Sequence, residues 1–345
     1  MKIAVTYNDP RTAKVIQHCG AISREIYPSY NIQGIVDALV ANGHEVQAIE
    51  ADRFVIDRLH TFFCPLDDET WSGLVFNLAF GIQGQLRYTH LPGLLEMLGL
   101  PYLGSGPLGH SLASDKAAAK ALFLHEGIPT PEFALLQRLE DINGVTLDYP
   151  LVVKPVAGAS SLGLHFVDNR FDLEQAVRYN LSTFQEPVMV ERFVDGREIS
   201  VSIIGNQPAE ALPVVEVVLG EGGLPIYTQG DKDGSDQRGF ELICPADLPA
   251  AVSDDAKTLA LRAFAVLGCR DWSRVEFRLD ENNQLQILEL NTIPGLGAIA
   301  SLPDAAKQSG MPDLASLVQR LVDVAVQRYQ SRSSPNNTGT LAIKP

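Results

Sequence analysis

Late in the chain, two carboxylates, an amide and a guanidinium fall within one short stretch. It reads Arg274-Val275-Glu276-Phe277-Arg278-Leu279, then Asp280-Glu281-Asn282-Asn283, then Gln284-Leu285-Gln286-Ile287-Leu288-Glu289-Leu290-Asn291. The polar run between two alternating apolar segments predicts a β-hairpin with strands Trp272–Leu279 and Gln284–Leu290. Side chains two apart on a strand share a face, so Arg274 pairs with Glu276 in direction, and Glu289 with Asn291. A turn of four residues would set Arg274 opposite Glu289, with Glu276 one diagonal step away. Hard oxygen donors of this kind suit magnesium, which keeps waters and substrate phosphates as its other ligands. A cross-strand salt bridge on a solvated face would use the same residues.

Two further segments could handle phosphate and a base. Val152-Val153-Lys154-Pro155 leads into Ala157-Gly158-Ala159-Ser160-Ser161-Leu162-Gly163. A lysine at a strand end beside a small-residue loop can surround phosphate oxygens with backbone N–H groups and an ammonium. It is not the GxxxxGK[ST] loop, and many Gly/Ser loops carry no ligand. Met189-Val190-Glu191-Arg192-Phe193-Val194, followed by Glu198, could line an adenine slot with Glu198 on the ribose, or be an amphipathic strand with a surface acid. Gly295-Leu296-Gly297-Ala298-Ile299-Ala300 imitates a dinucleotide fingerprint, but such a fingerprint should open a βαβ unit, and here one helix and a polar tail are all that is expected to follow.

The elements that must position these residues fall into an α/β (α+β) chain of three lobes. Strand signals at Lys2–Tyr7, Glu45–Glu50 and Gly73–Leu78 alternate with helical periodicity at Ile32–Asn42 and Pro92–Leu98, giving an open N-terminal α/β lobe over residues 1–115. Between Asp9 and Tyr30 no element is predicted. A central lobe spans 116–206, with a helix at Asp115–His125 stopped by Gly127-Ile128-Pro129. The third lobe, 207–330, holds the hairpin, helices at Asp254–Leu267 and Leu314–Tyr329, and a Gly/Asp-rich segment, Pro225–Gly239, that reads as a mobile loop. Residues 331–345 read as a disordered polar tail.

Composition narrows the partners. A formal charge of −15 disfavours nucleic acid and anionic membranes, which repel an acidic surface. No run approaches the ~20 apolar residues of a membrane span, and the start reads as a strand rather than a signal peptide. Cys19, Cys64, Cys244 and Cys269 show no metal spacing. Free thiols and a cytoplasmic location are the expectation.

These segments, in this order, resemble the ATP-grasp fold, and more narrowly D-alanine–D-alanine ligase and its relatives. The likeness runs from about Val75 to Tyr329. It is carried by Leu91–Lys116 (LPGLLEMLGLPYLGSGPLGHSLASDK), Val152–Gly163, Val190–Glu198 and Arg274–Gly295 (RVEFRLDENNQLQILELNTIPG). It implies ATP with magnesium, which manganese could replace, and small carboxylate and amino-acid substrates. It also implies roles. Lys116 and Lys154 hold phosphates, and Ser160 and Ser161 lie in a loop closing over them. Glu191, Arg192 and Val194 frame the adenine, with Glu198 on the ribose, and Lys232 reaches a phosphate from the mobile loop. Glu276, Glu289 and Asn291 bind magnesium. Arg274 and the N–H of Gly295 stabilise an oxyanion. A homodimer through the first lobe is also implied.

The departures from that family cluster where its amino acids bind. Its Gly-Gly-x-Ser-x-Glu turn reads Tyr7-Asn8-Asp9-Pro10-Arg11 here, with Glu25 as a loose stand-in for the glutamate. Its His-Gly becomes Phe80-Gly81, and its Gly-Glu becomes Gly84-Gln85. Its Lys-Tyr becomes Lys232-Asp233, and its metal-hairpin aspartate becomes Glu276. Its Pro-Gly-Met-Thr becomes Pro294-Gly295-Leu296-Gly297, with Ala300 at the serine position and Ser301 beside it. The expectation is a carboxylate–amine ligase with a rewritten amino-acid site, Phe80 suiting a larger or less charged first substrate. A natural-product amino-acid ligase of mycosporine type is one option. The alternatives are a cell-wall D-alanine–D-alanine ligase, a non-catalytic ATP-binding protein, and an oxidoreductase built on Gly295–Ala300.

Overall fold

The structure, a computed structural model, describes all residues except 19–20, 64–71, 159–160 and 333–345. Cys19, Cys64, Ser160 and nearly all of the predicted tail lie outside the described residues.

Strands β1 (Lys2–Tyr7), β2 (Glu45–Glu50), β3 (Gly73–Asn77) and β4 (Tyr102–Leu103) form a parallel sheet in the order β2-β1-β3-β4. A parallel sheet is covered on both faces, which is why β1 and β3 are continuous apolar runs. Alternation along β1 sends Ile3 and Val5 towards helices α1 (Ser29–Ala41) and, from the far end of the chain, α10 (Leu314–Arg332), while Ala4 faces α2 (Val55–Phe63) and α3 (His90–Met97). No element is predicted from the sequence at α2 or at α4 (Pro107–Ser114), although Val55, Leu59 and Phe63 of α2 recur at helical spacing and are buried.

Helix α5 (Lys116–His125) starts at Asp115, whose carboxylate accepts the N–H groups of Ala117 and Ala118. A four-stranded antiparallel sheet follows, built from β5 (Phe133–Leu136), β6 (Leu151–Pro155), β7 (His165–Val167) and β8 (Val188–Arg192), with α6 (Arg170–Phe184) on one face. The largest sheet contains β9 (Arg197–Gly205), β10 (Ala209–Ala211), β11 (Val215–Leu219), β12 (Phe240–Ile243), β13 (Asp271–Leu279) and β14 (Leu285–Asn291). β9 falls within the expected central lobe by sequence, yet it runs between β11 and β13 and pairs with both.

Helices α5 and α8 (Ala250–Val266) cover one face of the large sheet. On the other face Trp272, Leu302, Leu317 and Leu321 pack into the same core as Ile3, Ile35 and Leu39 of the first sheet. Buried Arg328 of α10 clamps Asp271 with two bonds of 2.8 Å and donates to the Tyr102 carbonyl at 2.7 Å. The first and last parts of the chain are thus one packed body, and the four-stranded sheet has a core of its own.

Candidate active site

The hairpin forms, but not in the expected register. Its loop is five residues long, Asp280–Gln284, so Leu279 pairs with Leu285. Between Phe277↔Ile287 and Glu276↔Glu289 the register shifts, leaving Leu288 as an extra residue on β14. Arg274 consequently lies opposite Asn291, and Glu276 opposite Glu289, rather than Arg274 opposite Glu289. The bulge matters because a one-residue slip turns a strand's side chains to the other face. Here it brings Glu289 and Asn291 round to the face carrying Arg274 and Glu276.

The four side chains meet. Arg274 donates through both Nε and Nη2 to Glu276, which also accepts Asn291 Nδ2 at 2.9 Å. The same amide lies 3.4 Å from Glu289 Oε1. Lys116, at the first position of α5, sits 3.3 Å from Glu289 Oε2 and donates to the Gly158 carbonyl. Burial opposes ionisation of Glu289, but Lys116, Lys154 and Lys232 outweigh it and hold its carboxyl at about 2.

On the facing sheet, Lys154 of β6 pairs with Glu191 of β8 at 2.5 Å. The other oxygen of Glu191 lies 3.0 Å from Lys120, a wholly buried lysine that the sequence did not single out. Burial pushes the Lys120 ammonium down to about 8, with Glu191 working against the shift. The Glu191 carboxylate is therefore committed to lysines, while the residue itself still borders the neighbouring slot.

The two loops expected to close over phosphates touch. Ser161 Oγ accepts Lys232 Nζ at 2.8 Å and donates to the Tyr227 carbonyl at 3.1 Å. The Pro225–Gly239 segment carries the short helix α7 (Gln229–Asp233), capped by Thr228, and Arg238 binds Asp231 and the carbonyls of Gly222, Leu224 and Ile226.

Two connected clefts result. A cavity of about 90 Å³ between the sheets has apolar walls from Val152, Leu162, Phe193, Val194 and Leu288, with Arg192 and Glu198 also at its border. It has the character of an adenine slot. A second cavity of about 250 Å³ contains Lys116, Lys232, Arg274, Glu276, Glu289 and Asn291, and Glu198 borders both. Gly295 and Ser301, the first residue of α9 (Ser301–Gln308), also line it. No strand follows β14 among the described residues, so Gly295–Ala300 opens no βαβ unit, although two helices follow rather than the one expected.

The substrate positions divide. Phe80 lines the larger cleft, its ring 6.0 Å from that of Tyr27 and 5.5 Å from that of Tyr88. Gln85 does not reach the cleft and is exposed. In its place the chain turns in two residues later. Gly81, at φ +83°, packs so closely on the Arg87 backbone that a Cβ would lie 2.3 Å from its carbonyl oxygen. Tyr88 then enters the wall. Glu25 is buried behind Tyr88, outside the larger cleft, and accepts Arg87 Nη2 at 2.6 Å and the Tyr88 hydroxyl at 2.9 Å. Tyr27, also unflagged by the sequence, accepts the Leu296 N–H at 2.8 Å, next to Gly295. Tyr27 lies in no regular element and Tyr88 in a single 3₁₀ turn, Arg87–Thr89, too short to leave a periodic signal in the sequence.

The donor set fits magnesium. Among the described residues no three His, Cys, Asp or Glu side chains converge, so the site offers two carboxylates and one amide. That leaves the remaining positions to water and phosphate, as magnesium prefers. A lysine-lined cleft beside an apolar slot between two antiparallel sheets defines an ATP-grasp enzyme.

Comparison with known proteins narrows the class. The profile of the family described as D-ala D-ala ligase C-terminus matches residues 122–323. An uncharacterised protein, y4sG, of Sinorhizobium fredii is 39% identical over 86% of this chain and 87% of its own. The D-alanine–D-alanine ligase of Bordetella petrii is 38% identical over 70% of this chain and 73% of its own. The ligase of the same name from Bacillus anthracis, solved with ATP, shares the fold at a TM-score of 0.74 and 22% identity, covering 96% of this chain and all of that one. The chain belongs to the D-alanine–D-alanine ligase family, whose ATP-dependent members form carbon–nitrogen bonds and use ATP and magnesium.

Proposed function

We propose that this enzyme joins a small carboxylic acid to an amino acid through an acyl phosphate, and that the pair it joins is not two D-alanines. The observation that carries the ligase chemistry is the Arg274–Glu276–Asn291–Glu289 cluster at the junction of the two clefts. Lys116, Lys154 and Lys232 neutralise phosphate oxygens while the acid's carboxylate bonds to the γ-phosphorus and ADP departs. Glu276, Glu289 and Asn291 would hold magnesium, which would add charge neutralisation on the phosphates. Ser161 and Lys232 join the two loops over the cleft and keep water from the activated acid. The amine nitrogen then bonds to the acyl carbon. Arg274 and the Gly295 N–H hold the oxyanion until phosphate leaves.

The departure from D-alanine rests on the wall formed by Tyr27, Phe80 and Tyr88 and on the engagement of Glu25 with Arg87. The test is ADP release over a panel of acid and amino-acid pairs, followed by mass analysis of the product. We expect a mixed pair to outperform D-alanine alone. D-alanyl-D-alanine as the best product would refute the substrate reading, and no ADP from any pair would refute the ligase reading.

A further inference from the structure

We infer that the acid this enzyme activates has no α-ammonium group, and that its body is apolar or aromatic. The inference rests on the ligase reading above and specifies its first substrate.

An α-amino acid placed with its carboxylate at Arg274 and Gly295 would carry its ammonium one carbon away, inside the same cleft. A buried ammonium needs a counter-charge, because its hydration is lost. The described acids that line the cleft are Glu198, Glu276 and Glu289, and each already faces a cation. Glu276 accepts Arg274, Glu289 faces Lys116 at 3.3 Å, and Glu198 faces Arg278 at 3.5 Å. Glu276 and Glu289 are also the magnesium donors. None of the three is left to hold an ammonium.

The opposite wall supplies no charge either. Ile26, Tyr27, Phe80, Tyr88 and Ile299 supply its apolar part, and Asn31 and Ser301 are its uncharged polar residues. The nearest acid behind that wall is Glu25. It lies outside the cleft lining, in an adjoining cavity that meets the cleft at Gly158, and its oxygens receive the Arg87 guanidinium and the Tyr88 hydroxyl. The three aromatic rings pack on one another at 5.5 and 6.0 Å with tilts of 36° and 32°, so they present a continuous surface and do not enclose a cation. Such a surface suits a flat or branched hydrocarbon.

The test traps the activated acid with hydroxylamine, whose nitrogen displaces phosphate to give a hydroxamate. The protein is incubated with ATP, magnesium, hydroxylamine and one acid from matched pairs. The pairs are 3-phenylpropionate against D- and L-phenylalanine, and butyrate against D- and L-2-aminobutyrate. We expect kcat/KM for the acid without the ammonium to exceed that of its amino counterpart by at least roughly tenfold. Equal or better use of the amino acids would overturn the inference and leave the ligase reading standing. No hydroxamate and no ADP from any pair would remove both.

Two variants test the cause. Tyr88→Phe keeps the ring but releases one bond to Glu25, and Arg87→Met removes its counter-charge. Each should shift the preference towards the amino member of every pair, Arg87→Met more strongly. An unchanged preference in both would show that the burial of Glu25 does not set it.

Discussion

The hydroxyl of Tyr27 accepts the backbone N–H of Leu296 across a separation of 269 residues. One end of this bond belongs to the irregular segment before α1, and the other adjoins Gly295. The first lobe therefore fixes the backbone beside Gly295, the proposed oxyanion donor. Removing the hydroxyl leaves the Leu296 N–H without its partner and lets the segment drift. We expect Tyr27→Phe to lower kcat by up to ~10-fold, the scale of one hydrogen bond, with KM for ATP unchanged. Steady-state kinetics separates the two constants. Burial holds the Tyr27 phenol far above the working pH, so the wild-type profile should show no alkaline limb from it.

Arg274 is expected to matter more. Arg274→Ala should lose on the order of 10²–10³ in turnover, as for other oxyanion donors, while ATP still binds. Arg274→Lys should not restore the rate, because an ammonium cannot meet Glu276 and an oxyanion with a planar fork. Turnover near that of the wild type in Arg274→Ala, set beside calorimetric ATP binding, would sink the oxyanion assignment.

Glu289 tests the metal site. Glu289→Gln keeps the shape and removes the charge that faces Lys116 and would face the proposed magnesium ion. The magnesium concentration for half-maximal ADP release should rise by more than the ~10–100-fold typical of groups one step removed from a metal. A magnesium titration of the variant measures it directly.

His110 predicts a dependence of stability on pH. The ring is fully buried, one nitrogen meets Thr292 Oγ1 at 2.8 Å, and burial with nearby Arg270 pushes its pKa down to about 3. An unfolded histidine titrates near 6.5. Below that value the unfolded chain binds a proton that the folded one refuses. Stability is therefore fully present above about pH 6.5 and is lost as pH falls towards 3. Between pH 6.5 and 5 the loss should reach about 2 kcal/mol. Urea midpoints of wild type and His110→Gln, compared at pH 7 and 5, should diverge by the part that belongs to this ring.

Much of the site could be read in the sequence because its residues sit on regular elements. Alternation in β13 and β14 singles out four side chains that do meet in the structure. Their register could not be read, since a bulge at Leu288 and a fifth loop residue leave no mark in a pattern of apolar and polar residues. The charged network under the nucleotide cleft was half legible. Lys154 and Glu191 stood out on their strands, whereas Lys120 lies in an alanine-rich helix where a lysine reads as surface. The substrate wall was least legible. Gln85 stood at the position that the family likeness indicated, but the turn after Gly81 carries it outward and brings Tyr88 inward. Such a reversal depends on backbone direction in an irregular loop, where no periodicity applies.

The bidentate clasp of Arg328 on Asp271 fastens the final helix to the large sheet, and its bond to the Tyr102 carbonyl ties both to the edge of the first sheet. Exchanging specificity with a relative by transplanting only residues 1–115 would cut through that shared interior and mismatch its halves. A workable graft would carry α9 and α10 along with the first lobe, so the segments that inherit together here are distant in sequence but inseparable in space.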